Sequence, residues 1–143
     1  MQWNADGLNT KVNELSNRLK SEDIDMCNIQ ESKLQPHMPT PRIPGYKATE
    51  RIDRKGGIQG GGLITYVKDT VVFQRGGDSS KKATDVTTTT IQLTQKNWIS
   101  VSNIYVPPVN SSGKEITFCP EIIPTQEKSI ITGDLNGHSP LWD

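Results

Sequence analysis

Asp134 and Asn136, a carboxylate and a carboxamide two residues apart, follow the short apolar run Ile130-Ile131-Thr132 and are bracketed by Gly133 and Gly137. On extended backbone, side chains at i and i+2 point the same way. The pair is therefore expected to converge on one small polar target, such as a hydrated metal ion or a water attacking a phosphate. The flanking glycines can take backbone conformations that bulkier residues resist. The same Gly-Asp-x-Asn stretch is also a good turn sequence, so a bland reading stands beside the chemical one.

Three further polar residues fall at or beside the ends of expected strands: Asn4, Glu31 and Tyr105. Each has an ordinary structural reading, Asn4 as a turn former, Glu31 as a solvated strand terminus and Tyr105 as a half-buried core aromatic. Together with Asp134 and Asn136 they are worth more. Carboxylate and carbonyl oxygens are the ligands that a hard cation such as Mg²⁺ prefers, and Mg²⁺ commonly binds through one or two carboxylates plus phosphate oxygens.

The elements that would carry these residues are legible from periodicity. Gln2-Trp3-Asn4 reads as the end of a strand, and Leu8, Val12, Leu15 and Leu19 fall at spacings of four, three and four, one face of a helix that Asn9 or Thr10 can cap. Residues 24–31 return to extended periodicity with Cys27, Ile29 and Glu31 on one side, so strand, helix, strand predicts a crossover unit with Glu31 at the carboxyl end of its second strand. That is where α/β sheets commonly build their sites. Pro36, Pro39, Pro41 and Pro44 make a non-helical connection to a strand at 46–52. Gly56, Gly57, Gly60, Gly61 and Gly62 precede a strand at 63–67, and further strands are expected at 83–93, 98–106 and 129–132. Residues 76–82 and 110–114 read as turns or loops. The glycine stretch is no phosphate-binding loop, since it precedes a strand and lacks a following Gly-Lys-Ser/Thr.

Length and composition bound the class. A chain of 143 residues predicts one domain, 1–143. Hydrophobic residues make up only 32%, below the usual about 45–50%, and mean hydropathy is −0.58. Either the core is thin or the chain is part of something larger. Sixteen basic and sixteen acidic residues cancel, so no global field attracts a polyanion, and such binding must rest on local patches or a metal ion. Arg51, Arg54, Lys55, Lys81 and Lys82 lie near expected loops, with Asp53 and Asp78 among them, and read either as phosphate contacts or as a solvated surface. Cys27 and Cys119 have neither Cys-x-x-Cys nor histidine spacing and read as small packing residues. Trp3, Trp98 and Trp142 read as packing residues too. No membrane span or signal peptide is visible, which places the expectation in an intracellular protein.

Four segments carry a resemblance. Gln2-Trp3-Asn4-Ala5-Asp6-Gly7-Leu8, Ile29-Gln30-Glu31-Ser32-Lys33-Leu34, Ile104-Tyr105-Val106-Pro107-Pro108 and Gly133-Asp134-Leu135-Asn136-Gly137-His138-Ser139-Pro140-Leu141-Trp142 resemble, in order, four motifs of the endonuclease/exonuclease/phosphatase family. Their wording is most similar to the apurinic-type endonuclease domain of non-LTR retrotransposons. The resemblance implies an α/β (α+β) fold, a four-layer α/β/β/α sandwich, and a Mg²⁺-dependent (or Mn²⁺-dependent) endonuclease that nicks DNA in the nucleus. It implies that Glu31 binds the metal and Asn4 supports its shell. It also implies that Asp134 activates or orients the attacking water, that Asn136 holds the scissile phosphate and that Tyr105 contacts it.

The departure from the family matters as much. Its members continue through another metal-site Asp and a Ser-Asp-His motif, which these residues do not contain. The expectation is therefore a fragment, incomplete in its C-terminal strands, with one sheet and part of a second. Its open strand edge would invite self-association or a partner, and its activity alone is in question. His138 belongs to the Gly-Asp-Leu-Asn motif and reads as a supporting or loop residue, and His37 lies amid prolines. Two other functions stay open: a non-catalytic remnant binding nucleic acid or a protein, and a phosphoesterase for a small phosphoester such as an inositol phosphate or a phospholipid head group.

Overall fold

The expected crossover opens the chain in a computed structural model that describes residues 1–53, 60–81, 84–108, 119–124 and 126–137. β1 (Gln2–Asn4) leads through a 3-10 turn at Leu8–Thr10 into α1 (Val12–Ser21), and β2 (Met26–Gln30) returns parallel to β1. Leu8, Leu15 and Leu19 are buried, with Val12 half-buried beside them, so the apolar spacing does mark one face. The helix itself starts later than the spacing implies. Asn9 and Thr10 lie in the 3-10 turn, Lys11 takes the N-cap position, and no side chain caps α1. Gly7, at φ 99, bends the chain just before that turn.

β4 (Leu63–Lys68) lies between β2 and β3 (Tyr46–Ile52), antiparallel to both, giving the order β1-β2-β4-β3. Cys27, Ile29, Ile64 and Tyr66 on one face of this sheet meet Leu8, Leu15 and Leu19 in the main apolar core. Burial pushes the Cys27 thiol up to about 12. Cys27 and Cys119 are buried and outside any disulfide, and the Cys119 thiol also donates to Glu121 Oε2 at 2.9 Å.

The second sheet runs β5 (Phe73–Lys81), β6 (Thr84–Thr94), β7 (Asn97–Tyr105), β8 (Ser129–Asp134), with only β7 and β8 parallel. β5 corrects the reading of 76–82 as a turn or loop over residues 76–81, residue 82 lying outside the described residues. It is an edge strand whose side chains are mostly exposed and polar, so no hydrophobic alternation announces it. Its glycines serve the strand: a Cβ on Gly76 would crowd Thr88, and Gly77, at φ 91, sits where a bulge shifts the register. Residues 110–114, the other expected loop, lie outside the described residues. The described residues form two four-stranded sheets. α1 covers the outer face of the first. On the outer face of the second, Val86, Ile104 and Val106 are packed by Ile122 and Ile123 around a 3-10 turn at Pro120–Ile122. Among the described residues no helix is long and apolar enough to cross a membrane.

The seam between the sheets changes character along its length. At the amino end of β2 it is apolar, with Met26, Val67 and Val101 packed by Phe73, Ile91 and Ile99. Midway it becomes polar: Asn28 Nδ2 donates to Thr132 Oγ1 at 2.7 Å, Thr65 Oγ1 donates to Asn28 Oδ1 at 2.9 Å, and the Thr49 and Thr89 hydroxyls meet at 2.9 Å. Each of these groups is buried or half-buried, so an unmade bond there would carry the full desolvation penalty.

β8 approaches β7 closely at one residue. Gly133 is extended, with Ile104 as its register partner, and a Cβ there would overlap the Ile104 backbone carbonyl. We predict that Gly133→Ala lowers stability by about 1–3 kcal/mol, the usual cost of overpacking, as measured by urea denaturation. An unchanged midpoint would contradict the close approach of these strands.

Candidate active site

The parallel pairs bring four carboxyl ends to one rim. Asn4 is register partner to Gln30, directly before Glu31, while Tyr105 is register partner to Asp134. Side-chain contacts then close the group across the two sheets. The buried Tyr105 hydroxyl donates to Glu31 Oε1 at 3.1 Å, and Asn4 Nδ2 donates to Asp134 Oδ2 at 2.9 Å. All five residues singled out from the sequence stand in this one cluster; the fifth, Asn136, joins it through its backbone N–H, which donates to Asp134 Oδ1 at 3.1 Å.

The geometry of the Asp134/Asn136 pair differs from extended alternation. β8 ends at Asp134, and Asn136 takes φ 44, so the two side chains do not run in parallel along one strand face. The bond from Asn136 N–H to the Asp134 carboxylate is an Asx-type turn. The turn reading of this stretch therefore holds, and it does not exclude the site reading. The Asn136 carboxamide is partly committed, since Nδ2 donates to Val106 O at 2.8 Å; a primary amide has a second N–H to offer.

Left-handed backbone gathers at this rim. Asp6 (φ 45), Glu31 (φ 50), Lys33 (φ 52) and Asn136 (φ 44) are four of the five non-glycine residues with positive φ among the described residues; the fifth is Asp23, just past α1. Asn and Asp tolerate this conformation, but for Glu and Lys it costs about 1–2 kcal/mol each. The turn is held in place from both sides. Gly7 N–H donates to Glu31 O and Leu8 N–H to Ser32 O, both at 2.9 Å, while Ser32 and Lys33 N–H donate to Gly62 O and Gly61 O at 3.1 and 3.0 Å. Gly62, at φ 89, leaves no room for a Cβ beside Ser32 Oγ. Strain retained where the surroundings over-determine it marks a functional site more often than a neutral loop.

No protein-family model matches the chain. It is similar to a probable RNA-directed DNA polymerase from the Drosophila melanogaster transposon X-element, at 27% identity over 150 residues, which takes in 98% of this chain and 15% of that protein. Among solved structures, the Xenopus laevis APE2 catalytic domain superposes with a TM-score of 0.57 at 17% identity, over 98% of this chain and 59% of that one. A Bacteroides thetaiotaomicron mannosyl-6-phosphatase does so with a TM-score of 0.54 at 12% identity, over 92% of this chain and 58% of that one. The chain has the endonuclease/exonuclease/phosphatase fold. It spans less than two thirds of each of these relatives.

Within this endonuclease/exonuclease/phosphatase fold, the donor set at the rim fits a hard divalent cation. Glu31 offers carboxylate oxygens at a half-buried position, and Asn4 Oδ1, which accepts from Asp6 N–H at 3.1 Å, keeps a second lone pair. Among the described residues no three His, Cys, Asp or Glu side chains gather into a metal cage. A cation that completes its shell with water and substrate oxygens does not require one.

Asp6 and Lys33 receive no role from the sequence, yet they flank the cluster. Lys33 Nζ hydrogen-bonds Asp6 Oδ1 and lies 4.0 Å from Glu31 Oε2. The available signal was their position, each two residues beyond a candidate metal residue and of opposite charge. Arg51, by contrast, leaves the list of phosphate contacts. Its guanidinium donates to Met38 O, Thr40 Oγ1, Gln35 O and Asp53 Oδ1, clamping the proline-rich connection. Lys81 pairs with Glu121 at 3.4 Å on the surface, and His37 is exposed. Arg54, Lys55, Lys82, His138 and Trp142 lie outside the described residues.

The hydrogen bond and charge of Lys33 hold the Asp6 carboxyl below its ordinary 3.8. A lowered folded value means that the pair's contribution is present above 3.8 and is lost as pH falls through the folded value. We predict that carboxyl NMR gives Asp6 a midpoint below 3.8 in the native protein, rising towards 3.8 in Lys33→Met. A midpoint indifferent to that substitution would dissolve the pair.

Proposed function

We propose that this chain is the endonuclease-type portion of a retrotransposon protein, and that it hydrolyses a phosphodiester bond of DNA in the nucleus at the Glu31/Asp134 rim. The observation that carries this is the convergence of two carboxylates, one from each sheet, at the carboxyl ends of parallel strand pairs, with Tyr105 and Asn4 bonding them. The fold and the transposon relative support the reading, and the substrate and the ion are part of the proposal.

Each side chain has a part that its contacts leave available. Both Asp134 oxygens are held, by Asn4 and by the Asn136 backbone, which orients the carboxylate so that a remaining lone pair takes the proton of a water attacking phosphorus. The free N–H of the Asn136 carboxamide is the donor for a non-bridging phosphate oxygen. The Tyr105 hydroxyl now gives its O–H to Glu31, and turned towards the substrate it would donate to a phosphate oxygen. As the water oxygen bonds to phosphorus, one P–O ester bond breaks, the leaving sugar oxygen takes a proton from solvent water, and the strand is nicked. Two carboxylates repel a phosphate, so the rim needs positive charge. Lys33, 4.0 Å from Glu31, is shared with the Asp6 carboxylate and so meets only part of that need. A Mg²⁺ or Mn²⁺ ion held by Glu31 and Asn4 would supply the rest, stabilising charge on the phosphoryl oxygens.

Supercoiled plasmid incubated with the purified chain and Mg²⁺ should be nicked. Glu31→Gln and Asp134→Ala should each reduce the rate by about 10²-fold or more, the scale of losing one electrostatic contact in a transition state. Nicking indifferent to both substitutions would remove these residues from the mechanism. The same preparations assayed on small phosphoesters decide between DNA and a phosphomonoester-type substrate.

A second reading, pairing with a partner through a strand edge, has its own observation. Among the described residues β8 is an edge strand on which neighbouring residues Ile130 and Ile131, facing opposite ways, are 47% and 56% exposed, whereas parallel strands are ordinarily covered on both faces. Sedimentation velocity over a hundredfold range of concentration, about two decades being enough to shift a weak equilibrium, checks it. Self-association abolished by Ile131→Lys is expected, and a monomer throughout would argue against pairing between copies.

A further inference from the structure

We propose that Gln30 and Asn103 are positioning residues, holding the Glu31 carboxylate against the Tyr105 hydroxyl so that the two sheets present a single rigid rim. The kinetic consequence rests on the phosphodiesterase reading, while the geometric consequence is independent of it.

Both side chains are fully buried, at 0% exposure. Asn103 uses both ends of its amide on β2: its Oδ1 accepts from Gln30 Nε2 at 2.5 Å, and its Nδ2 donates to Ile29 O at 3.1 Å. Gln30 Oε1 in turn accepts from Gln2 Nε2 of β1 at 2.9 Å. Two residues further along the same face of β7, Tyr105 donates to Glu31, which directly follows Gln30. β7 therefore grips β2 by two successive rungs, and the outer rung is a contact of the site.

The place of the amide pair argues for positioning. The preceding inward positions of β7, Ile99 and Val101, are apolar, and the change to Asn103 comes at the last position before the rim. Replacing both members of a buried hydrogen-bonded pair with apolar groups of like shape is often neutral for stability. What is lost is direction. Sheets packed through methyl groups can slide, whereas a two-point amide contact must break first. A slip of about 1 Å at a reacting centre costs about a hundredfold in rate.

The test combines a rate with a signal that needs no activity. The double variant Gln30→Leu/Asn103→Leu removes the pair without leaving an unpaired buried amide, and Gln30→Met, which keeps the Asn103 bond to Ile29 O, takes its place if the double variant does not fold. In the wild-type background, labelling the three tyrosines with 3-fluorotyrosine should give a Tyr105 resonance, assigned by Tyr105→Phe, that moves on Glu31→Gln. In the relay variant that movement should vanish, with kcat for plasmid nicking down about tenfold or more, KM little changed and the thermal midpoint kept. A relay variant with wild-type kcat and an intact fluorine response would overturn the inference. So would a rate loss that only follows a loss of folded protein while the fluorine response persists. If no variant, wild type included, nicks DNA but the response still depends on the pair, the positioning role stands and the nuclease reading falls.

Discussion

With hydrophobic residues at 32% of the chain, two sheets cannot be joined by an apolar layer alone, and the seam between them is correspondingly graded. Its base is Met26, Val67 and Val101, its middle the Asn28, Thr65 and Thr132 hydrogen bonds, and its top the Glu31 and Tyr105 contact. Apolar packing holds the base without regard to direction, whereas the Asn28–Thr132 and Tyr105–Glu31 bonds tie the first sheet to the second, and Thr65 fixes the Asn28 amide from within its own sheet. Individually such bonds add only about 0.5–1.5 kcal/mol net. Their larger effect is to exclude other registers, because a shift would strand buried amides and hydroxyls without partners.

That fixed register explains how strained backbone survives at the rim. Glu31 and Lys33 keep left-handed φ values because the segment between them is bonded on one side by residues 7–8 and on the other by Gly61 and Gly62. The turn redirects Glu31 away from the alternation of β2 and towards Tyr105. It also brings Lys33 beside Asp6, so that one cation stands between two carboxylates. Local strain, charge placement and inter-sheet bonding are thus parts of one arrangement.

The sequence made much of this legible, for identifiable reasons. β3 and β4 have strong periodicity bounded by proline and glycine, and they fall where the pattern places them. α1 shows its buried stripe, although Gly7 and the 3-10 turn delay its start beyond the expected cap. β5 was hidden because an exposed edge strand needs no apolar face, and its two glycines mimic a turn. The clustering of the candidate residues was legible because four short motifs put them at strand ends. Their mutual geometry was not. Nothing in a linear pattern says that Glu31 and Asn136 leave the extended region, that Asn136 turns its amide to Val106, or that Arg51 is taken up by backbone carbonyls. Those follow from long-range partners, 30 residues apart in the case of Asn136 and Val106.

The Asx turn at the end of β8 bears on the freedom of Asp134. With Oδ1 receiving the Asn136 backbone and Oδ2 receiving the Asn4 carboxamide, the carboxylate can neither spin about its Cβ–Cγ bond nor exchange its two oxygens without breaking both contacts. Its rotational entropy has already been given up in folding. An arriving water would meet a plane and a lone-pair direction set by strands β1 and β8, so that little further ordering of this side chain would be charged to the encounter.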